Sequence, residues 1–198
     1  MTFCILVAVD RPVSPQTQRW LDQVAVAHPV FELRPDYNAL ILVAEGLRPG
    51  PSDEATGALL NDAEAQARAA LAGRDAGELA PVAAWRAAYR AFGAKPKRTR
   101  PSVEALLRRV EDGLPRIDRV TDIYNAISVR HLLPVGGEDL ARYRGPARLA
   151  RAAGDEPFDT VRDGEPVTDH PEPGEVIWRD AGGDPTRMSR ERSGFASA

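Results

Sequence analysis

Two short apolar runs, residues 2–9 and 39–46, place the strongest limit on what this chain can fold into. Each is bounded by turn-forming or charged residues and has the length of a buried β-strand, so both are predicted to be core strands. Between them, the stretch SPQTQRWLDQVAVAH (residues 14–28) begins with a Ser-Pro pair and carries apolar residues at helical spacing, which predicts a helix. Neither run approaches the roughly 20 apolar residues that cross a bilayer. The succession of strand and helix signals predicts an α+β fold without a membrane span.

A second group of signals predicts helices in the middle of the chain. Residues 76–93 and 101–113 both carry apolar residues at helical spacing, and each stretch ends at a glycine. In the second stretch the apolar side chains recur at i, i+3, i+4 and i+7: Val103, Leu106, Leu107 and Val110. Beyond Pro134 the chain becomes loop-rich and β-like, and its GEVIWRD segment is typical of a strand.

A further helix is predicted over residues 116–134, with Asp118 as its N-cap and Pro134 at its exit. Its predicted core stripe comprises three apolar side chains, Val120, Ile123 and Ile127. A second stripe at i, i+4 and i+7 is polar and comprises Thr121, Asn125 and Ser128. At about 100° per residue this polar stripe lies beside the apolar face. Such groups are either capped and solvated locally, or they line a pocket.

The chain is acidic as a whole, but its charge is unevenly spread. Its 198 residues carry a formal net charge of -3, yet residues 86–151 hold 15 Lys and Arg against 7 Asp and Glu. The basic belt comprises six cations of this segment: Lys95, Lys97, Arg98, Arg100, Arg108 and Arg109. Such a belt favours either contact with a polyanion or ion pairs with the acidic flanks. Charge alone leaves both interpretations open.

The composition predicts a protein of a reducing compartment. The single cysteine, Cys4, excludes an internal disulfide framework. The opening MTFCILVAVD has no basic region and no small-residue cleavage site, so it is predicted to be a strand rather than a signal peptide. Together these features predict a cytoplasmic location. From about residue 185 the chain is rich in Ser and Arg and poor in apolar residues, which predicts a frayed tail.

The motifs of common catalytic sites are absent from the sequence. It contains no P-loop, no GxGxxG opening a helix, no GxSxG, no HExxH and no CxxC. The three histidines, His28, His131 and His170, lie far apart without metal-ligand spacing. The sequence therefore predicts no metal and no cofactor, and the residues alone leave the chemistry open.

Four segments between residues 92 and 180 carry a specific combination of motifs: FGAKPKRTRPSVEALLRRVEDG, LPRIDRVTDIYNAISVRHLLPVGGEDL, RAAGDEPF and GEVIWRD. Together they resemble the B3/B4 domain, the tRNA-binding and editing domain of the phenylalanyl-tRNA synthetase β subunit, which also occurs as free-standing proteins. The similarity covers about residues 85–180 and is closer to the free-standing branch, while residues 1–84 match only in general layout. The resemblance implies one domain over residues 1–198, with layered mixed β-sheets and packed helices.

The resemblance also implies the site residues. Asn125 matches the family's editing-site asparagine and is therefore the implied catalytic residue. The implied substrate pocket comprises Thr121, Tyr124, Ser128, Pro134, Gly136 and Gly137. Two positions depart from the family: its threonine is Tyr124 here, and its histidine falls at Gly136. The implied mechanism uses an oriented water and polar donors around an ester, without a metal or a cofactor.

The implied partner is the acceptor end of an aminoacyl-tRNA, rather than DNA or a membrane. The basic belt would then contact phosphates, and Tyr124 or Tyr143 would stack on the single-stranded 3′ end. Three functions follow as hypotheses. The first is a trans-acting aminoacyl-tRNA deacylase, the second a tRNA-binding module without catalysis, and the third a small-molecule binder that reuses the amino-acid pocket.

Overall fold

The computed structural model describes residues 2–5, 13–94, 100–162 and 164–180, and it confirms the predicted α+β fold. The helices are α1 Pro15–Leu21, α2 His28–Leu33, α3 Glu54–Leu71, α4 Ala80–Ala91, α5 Ser102–Leu107 and α6 Arg119–His131. The strands are β1 Thr2–Ile5, β2 Ala25–Val26, β3 Asn38–Ile41, β4 Val135–Gly136, β5 Arg148–Arg151, β6 Phe158–Arg162, β7 Glu165–Asp169 and β8 Val176–Arg179. Short 3₁₀ turns occur at Ala76–Glu78 and Leu140–Arg142.

The strands of the described residues form two three-stranded sheets and a hairpin. In the first sheet β1 is central and pairs in parallel with β3 and β4, so the carboxyl ends of all three strands lie side by side. We call this side of the sheet its carboxyl edge. In the second sheet β5 is central, parallel to β2 and antiparallel to β8, while β6 and β7 form the hairpin. The segments that follow β3 and β4 both begin at this carboxyl edge, and the first sheet therefore positions them beside each other at the candidate site.

A helical core joins α3, α4, α5 and α6. Helix α3 begins with a capping box in which the Asp53 carboxylate accepts the Thr56 N–H at 2.9 Å and the Thr56 hydroxyl accepts the Asp53 N–H at 3.0 Å. Its buried apolar side chains recur every three or four residues: Leu60, Ala63, Ala67 and Leu71. They form one cluster with the apolar stripe predicted around α5, namely Val103, Leu106, Leu107 and Val110. All four side chains of that stripe are buried.

A second apolar cluster packs the second sheet against α2 and α4. Its buried members are Val30, Tyr37, Trp85, Ala147, Leu149 and Trp178. The rings of Tyr37 and Trp85 meet edge to face, with centroids 6.4 Å apart. Because Trp85 lies on α4, which also contributes to the helical core, α4 connects the two clusters.

The helix predicted over residues 14–28 is wrong in its second half. Helix α1 ends at Leu21, and the chain then forms β2, where the Ala25 N–H donates to the Ala147 carbonyl at 3.2 Å. Strand β2 continues in parallel with β5, which lies far along the chain. A tertiary pairing that no local pattern contains therefore overrides the helical spacing.

Two other predicted elements are shorter in the structure. Strand β3 ends at Ile41, so only the first three residues of the strand predicted over residues 39–46 form a strand. The helix predicted over residues 101–113 ends at Leu107, although Val110 remains buried in the turns that follow. The apolar spacing thus located the buried side chains correctly without fixing the length of the regular helix.

Helix α6 begins where predicted but buries a different face. The Asp118 carboxylate caps it by accepting the N–H groups of Val120 and Thr121, both at 2.9 Å. The side chains predicted to face the core are only half-buried: Val120, Ile123 and Ile127. The buried residues are Asp122, Asn125, Ala126, Ser128 and Val129. Two of the three residues of the predicted polar stripe, Asn125 and Ser128, are therefore buried, although the stripe was predicted to lie beside the buried face.

Some predicted features fall outside the described residues. These are residues 95–99 of the basic belt, the strand predicted beyond Ile5, and the tail predicted from about residue 185. Within the described part of the chain, none of the helices combines the length and the apolar character required to cross a membrane.

Candidate functional site

Asn125 lies in the middle of α6 with only 3% of its surface exposed. Its Nδ2 nitrogen has no hydrogen-bond partner among the described residues. Most buried polar groups in proteins are paired, and leaving one unpaired costs about 1–3 kcal/mol. The Asn125 amide is therefore a buried donor that is available to a ligand or a water molecule.

Asp122, one turn earlier on the same buried face, is fully paired. Its Oδ1 accepts the Ile117 N–H at 2.9 Å, and its Oδ2 accepts the Thr56 hydroxyl at 3.1 Å. The second bond connects α6 to the first turn of α3. Because this buried carboxylate has protein partners for both oxygens, its role is to hold the two helices together, in contrast to the unpaired Asn125 amide.

The predicted pocket residues that follow Asn125 lie along the connection to β4. The Ser128 hydroxyl donates to the Leu133 carbonyl at 2.7 Å, which ties the end of α6 to the turn after it. Pro134 is fully buried, and Gly136 is the last residue of β4, paired with β1. Gly137 is exposed at the carboxyl edge of the first sheet. The connection thus carries the chain from the buried face of α6 to that edge.

Tyr124 contacts this edge directly. A Cβ atom placed on Gly137 would lie 3.1 Å from Cε1 and 3.4 Å from Cδ1 of Tyr124, so the ring packs against the glycine backbone. Burial raises the pKa of Tyr124, and a hydrogen bond with Thr121 partly offsets this effect. The Tyr124 hydroxyl therefore stays protonated at neutral pH. The structure brings together three predicted pocket residues, Thr121, Tyr124 and Gly137.

A small cleft lies at the carboxyl edge of the first sheet. It is lined by Ile41 at the end of β3 and the two residues after it, by Glu138 and Tyr143 after β4, and by Trp20 of α1. The Trp20 and Tyr143 rings meet edge to face with centroids 5.3 Å apart. The Trp20 Nε1 donates to the Gly145 carbonyl at 2.7 Å, which holds this aromatic wall in place.

The structure describes half of the residues predicted to bind RNA. Lys95, Lys97 and Arg98 lie outside the described residues. The other three are exposed, Arg100 just before α5 and Arg108 and Arg109 just after it. Their contact with RNA stays a prediction.

Three arginines converge on one buried carboxylate. We call this group the Glu104 cluster; it comprises Asp75, Arg86, Arg100, Glu104 and Arg108. Arg86 donates to both Glu104 oxygens, at 2.8 and 2.6 Å, and Arg108 donates to Oε1 at 3.1 Å. The Arg100 Nε lies 3.6 Å from the same oxygen, and Arg108 also donates to Asp75 at 2.8 Å. Glu104 is fully buried, whereas 43% of the Arg100 side chain and 38% of the Arg108 side chain remain exposed.

The pKa of Glu104 lies below its ordinary value. Burial raises the pKa, but the hydrogen bonds from Arg86 and Arg108 outweigh burial and lower it overall. The pKa of Glu64 is lowered in the same way. Burial raises this pKa, but hydrogen bonds lower it overall, the largest effect coming from the Leu114 N–H, which donates to Glu64 at 2.8 Å. Both carboxylates are therefore held ionised, in part by groups that are distant in sequence, Arg86 for Glu104 and Leu114 for Glu64.

These two shifts predict how stability depends on pH. Because both carboxyl pKa values are lowered by folding, the unfolded chain binds more protons in acid, and the stabilisation is lost as the pH falls below the ordinary value of 4.5 and through the folded values. We expect the free energy of unfolding, measured in urea between about pH 7 and 3, to fall in the acid range. Glu104→Gln should flatten that fall, and an unchanged slope would contradict the assignment.

Sequence reasoning did not single out Glu104, Glu138 or Trp20 as site residues. Trp20 lies outside the region of resemblance, and Glu138 lies inside the second quoted segment but at a position to which the resemblance assigns no role. The clustering of Glu104 with Arg86 depends on the fold, because 18 residues separate them. The described residues contain no group of three or more His, Cys, Asp or Glu that could hold a metal.

Comparison with known protein families identifies a match. A family model described as "B3/4 domain" matches residues 84–196, more than half of the chain. Neither the curated proteins nor the solved structures contain a significant match. The matched segment contains α6, β4 and most of the Glu104 cluster, whereas Trp20 and residues 41–43 of the cleft precede it.

Proposed function

The chain belongs to the B3/4 domain family, and because that membership suggests a module related to tRNA binding and editing, we propose that it is a trans-acting aminoacyl-tRNA deacylase. In this proposal the protein binds the acceptor end of a wrongly charged tRNA. It then hydrolyses the ester that joins the amino acid to the terminal ribose.

The observation that carries the proposal is the unpaired buried amide of Asn125. Ester hydrolysis passes through a tetrahedral intermediate whose oxygen becomes negative, and a preorganised N–H donor stabilises that charge. Because the Asn125 Nδ2 has no partner among the described residues, it can donate to this oxygen without first breaking a protein hydrogen bond. Asn125 is also the residue to which the resemblance assigns catalysis.

The proposed reaction has no covalent enzyme intermediate. A water oxygen adds to the ester carbonyl carbon, the bond from that carbon to the ribose oxygen breaks, and a proton from the water ends on the ribose hydroxyl. Asn125 would stabilise the developing charge, and the protonated hydroxyl of Tyr124 would provide a second polar group at the edge where its ring meets Gly137. Holding water and ester together in this way supplies part of the rate enhancement.

The proposed tRNA contacts are made by the basic belt. Arg100 and Arg108 form ion pairs with the buried Glu104 but keep part of their side chains exposed. Each can therefore contact a phosphate while the ion pair fixes its position. Phosphate contacts of this kind position a nucleic acid without reading its sequence. Binding through several such contacts weakens steeply as the salt concentration rises.

A panel of aminoacyl-tRNAs incubated with the wild-type protein tests the proposal. We expect hydrolysis of at least one member to be faster than its spontaneous rate, with binding that falls steeply as salt is added. Binding without hydrolysis of any member would instead indicate the non-catalytic tRNA-binding module. Thermal stabilisation by an amino-acid-like compound, without RNA binding, would indicate the small-molecule binder.

A further inference from the structure

The exposed side of the Glu104 cluster carries a carboxylate, Asp75, close to two arginines. Arg108 donates from its Nη2 to Oδ1 and Oδ2 of Asp75, at 3.0 and 2.8 Å. The Nη2 of Arg86 lies 3.9 Å from Oδ1 of the same carboxylate, which is too far for a hydrogen bond. The Asp75 side chain is 44% exposed and the Arg108 side chain 38%, so a ligand in solution can reach this side of the cluster.

The buried Glu104 carboxylate holds both arginines from the opposite side. Arg86 donates to it from Nε and Nη2, and Arg108 donates to it from Nε. These bonds do not involve Asp75, so the two guanidinium groups keep their positions if Asp75 alone moves away. The arginines are therefore preorganised for an anion that takes the place of the Asp75 carboxylate.

The position of Arg86 also depends on Gly77. A Cβ atom placed on Gly77 would lie 2.0 Å from Nη1 and 2.3 Å from Cζ of Arg86, so the guanidinium packs against the glycine backbone. Gly77 does not have a positive φ, so its backbone conformation is open to other residues, and the close approach of Arg86 is what requires a glycine. The turn that follows Asp75 thus leaves room for the arginine beside it.

The Asp75 carboxylate engages the two arginines incompletely. Both of its oxygens accept from one nitrogen of Arg108, whereas a bidentate pair joins two nitrogens to two oxygens. Its Oδ1 also accepts the Gly77 N–H at 2.8 Å, which ties the carboxylate to its own turn, beyond hydrogen-bond distance of Arg86. A phosphate group is not tied to this turn, and its oxygens diverge from a tetrahedral centre. It can therefore accept from both arginines.

The charge of the cluster favours such an exchange. Its three arginines exceed its two carboxylates, so it has a formal charge of +1, which rises to +2 when Asp75 leaves. An exposed ion pair such as that of Asp75 with Arg108 contributes little to stability, so breaking it costs little. A phosphate of RNA gains the attraction of the arginines and also releases the counterions that surround the nucleic acid.

We propose that Arg86 and Arg108 form a phosphate-binding site that Asp75 occupies in the free protein, and that a backbone phosphate of tRNA displaces Asp75 when the RNA binds. This inference rests on the proposed function and adds Arg86 to the residues that contact RNA. Because Asp75 must leave first, it also sets the affinity of the protein for RNA and disfavours anions that cannot engage both arginines.

Fluorescence anisotropy with an uncharged tRNA transcript at about 0.1 M salt tests the proposal. Asp75→Asn removes the competing charge but keeps an acceptor for the Gly77 N–H. It should bind the tRNA about fivefold more tightly than the wild type, which is the ratio expected for loss of an exposed ion pair. Asp75→Ser also keeps an acceptor for the turn and should give the same gain. The control Glu78→Gln removes the same charge at an exposed position on that turn and should change the Kd by less than about twofold.

Two further backgrounds test whether the gain depends on the arginines. Arg108→Gln and Arg86→Gln each leave two arginines at Glu104, so the buried carboxylate stays paired. In either background Asp75→Asn should no longer increase the affinity for tRNA, because the site needs both guanidinium groups. A full fivefold gain in either background would overturn the two-arginine site. A gain in Asp75→Asn no larger than that in Glu78→Gln would overturn the competition by Asp75.

A titration with inorganic phosphate, followed by thermal unfolding of Asp75→Asn, distinguishes RNA from a free anion as the ligand. Stabilisation by inorganic phosphate, with tRNA binding unchanged by the substitution, would assign the site to a free anion and overturn RNA as its ligand.

The same variant distinguishes this inference from the function on which it rests. Hydrolysis of aminoacyl-tRNA by the wild type with an unchanged KM in Asp75→Asn would overturn the site and leave the deacylase proposal intact. A gain in tRNA affinity in Asp75→Asn, without hydrolysis of any aminoacyl-tRNA by either protein, would support the site and overturn the deacylase.

Discussion

Replacing Asn125 by alanine is expected to lower the rate of aminoacyl-tRNA hydrolysis by about 10²–10³-fold, the loss typical of removing one donor to a developing oxyanion. The free energy of unfolding should change by less than about 1 kcal/mol, because the Nδ2 makes no hydrogen bond to the described residues and its burial is itself costly. Single-turnover hydrolysis measures the first effect, and urea unfolding measures the second.

The combination of the two results is what identifies a catalytic role. Asn38→Ala makes the same side-chain change at an exposed position and should leave both quantities near their wild-type values. If Asn125→Ala hydrolyses its substrate within about threefold of the wild type, the amide does not stabilise the reaction, since the expected loss is at least 10²-fold. If the variant instead loses several kcal/mol of stability, Asn125 has a structural role.

Replacing Glu104 by alanine is expected to lower the free energy of unfolding by about 3 kcal/mol. Breaking a buried ion pair costs about 3–5 kcal/mol when the remaining charge stays buried. The lower end applies here because Arg86, Arg100 and Arg108 each keep about a quarter or more of their side chains exposed and can regain water. Urea unfolding at about pH 7, well above the ordinary carboxyl pKa, measures the change.

Two further variants separate charge from packing at this position. Glu104→Gln preserves the size and one acceptor oxygen, so its loss should be smaller than that of alanine. Glu111→Ala removes an acid whose side chain is 74% exposed and whose nearest basic atom, the Nε of Arg68, is 4.0 Å away, so it should change stability by no more than about 0.5 kcal/mol. A Glu104→Ala protein as stable as Glu111→Ala would show that the buried carboxylate contributes nothing.

Helix α6 shows both the success and the limit of reasoning from sequence. The Asp118 cap was predictable, because capping depends on residues within one turn. The buried face was not, because an apolar pattern assigns Val120, Ile123 and Ile127 to the interior. The structure buries Asp122 instead, since Thr56 on a distant helix supplies its partner. Polar residues can occupy a core position wherever a distant partner exists, and the sequence of one helix does not contain that partner.

The basic belt shows the same limit. The sequence identified the concentration of charge around α5 but left open whether the cations form ion pairs or face a polyanion. The structure shows that Arg100 and Arg108 do form ion pairs, with a carboxylate from within the belt and with Asp75. Arg100 and Arg108 each lie four residues from Glu104, a spacing that the sequence contains, whereas the pair with Asp75 depends on the fold because Asp75 lies 33 residues from Arg108.

The pairing of β4 with β1 has a consequence for modularity. The segment that carries the family signature begins at residue 84, yet β4 lies against a strand formed by residues 2–5, and α6 lies against α3. A graft of residues 84–196 into another protein would carry Asn125 on a helix stripped of its supporting neighbours. The residues before 84 bear little of the family signature, but they supply β1 and α3. The two parts of the chain would therefore have to be inherited together.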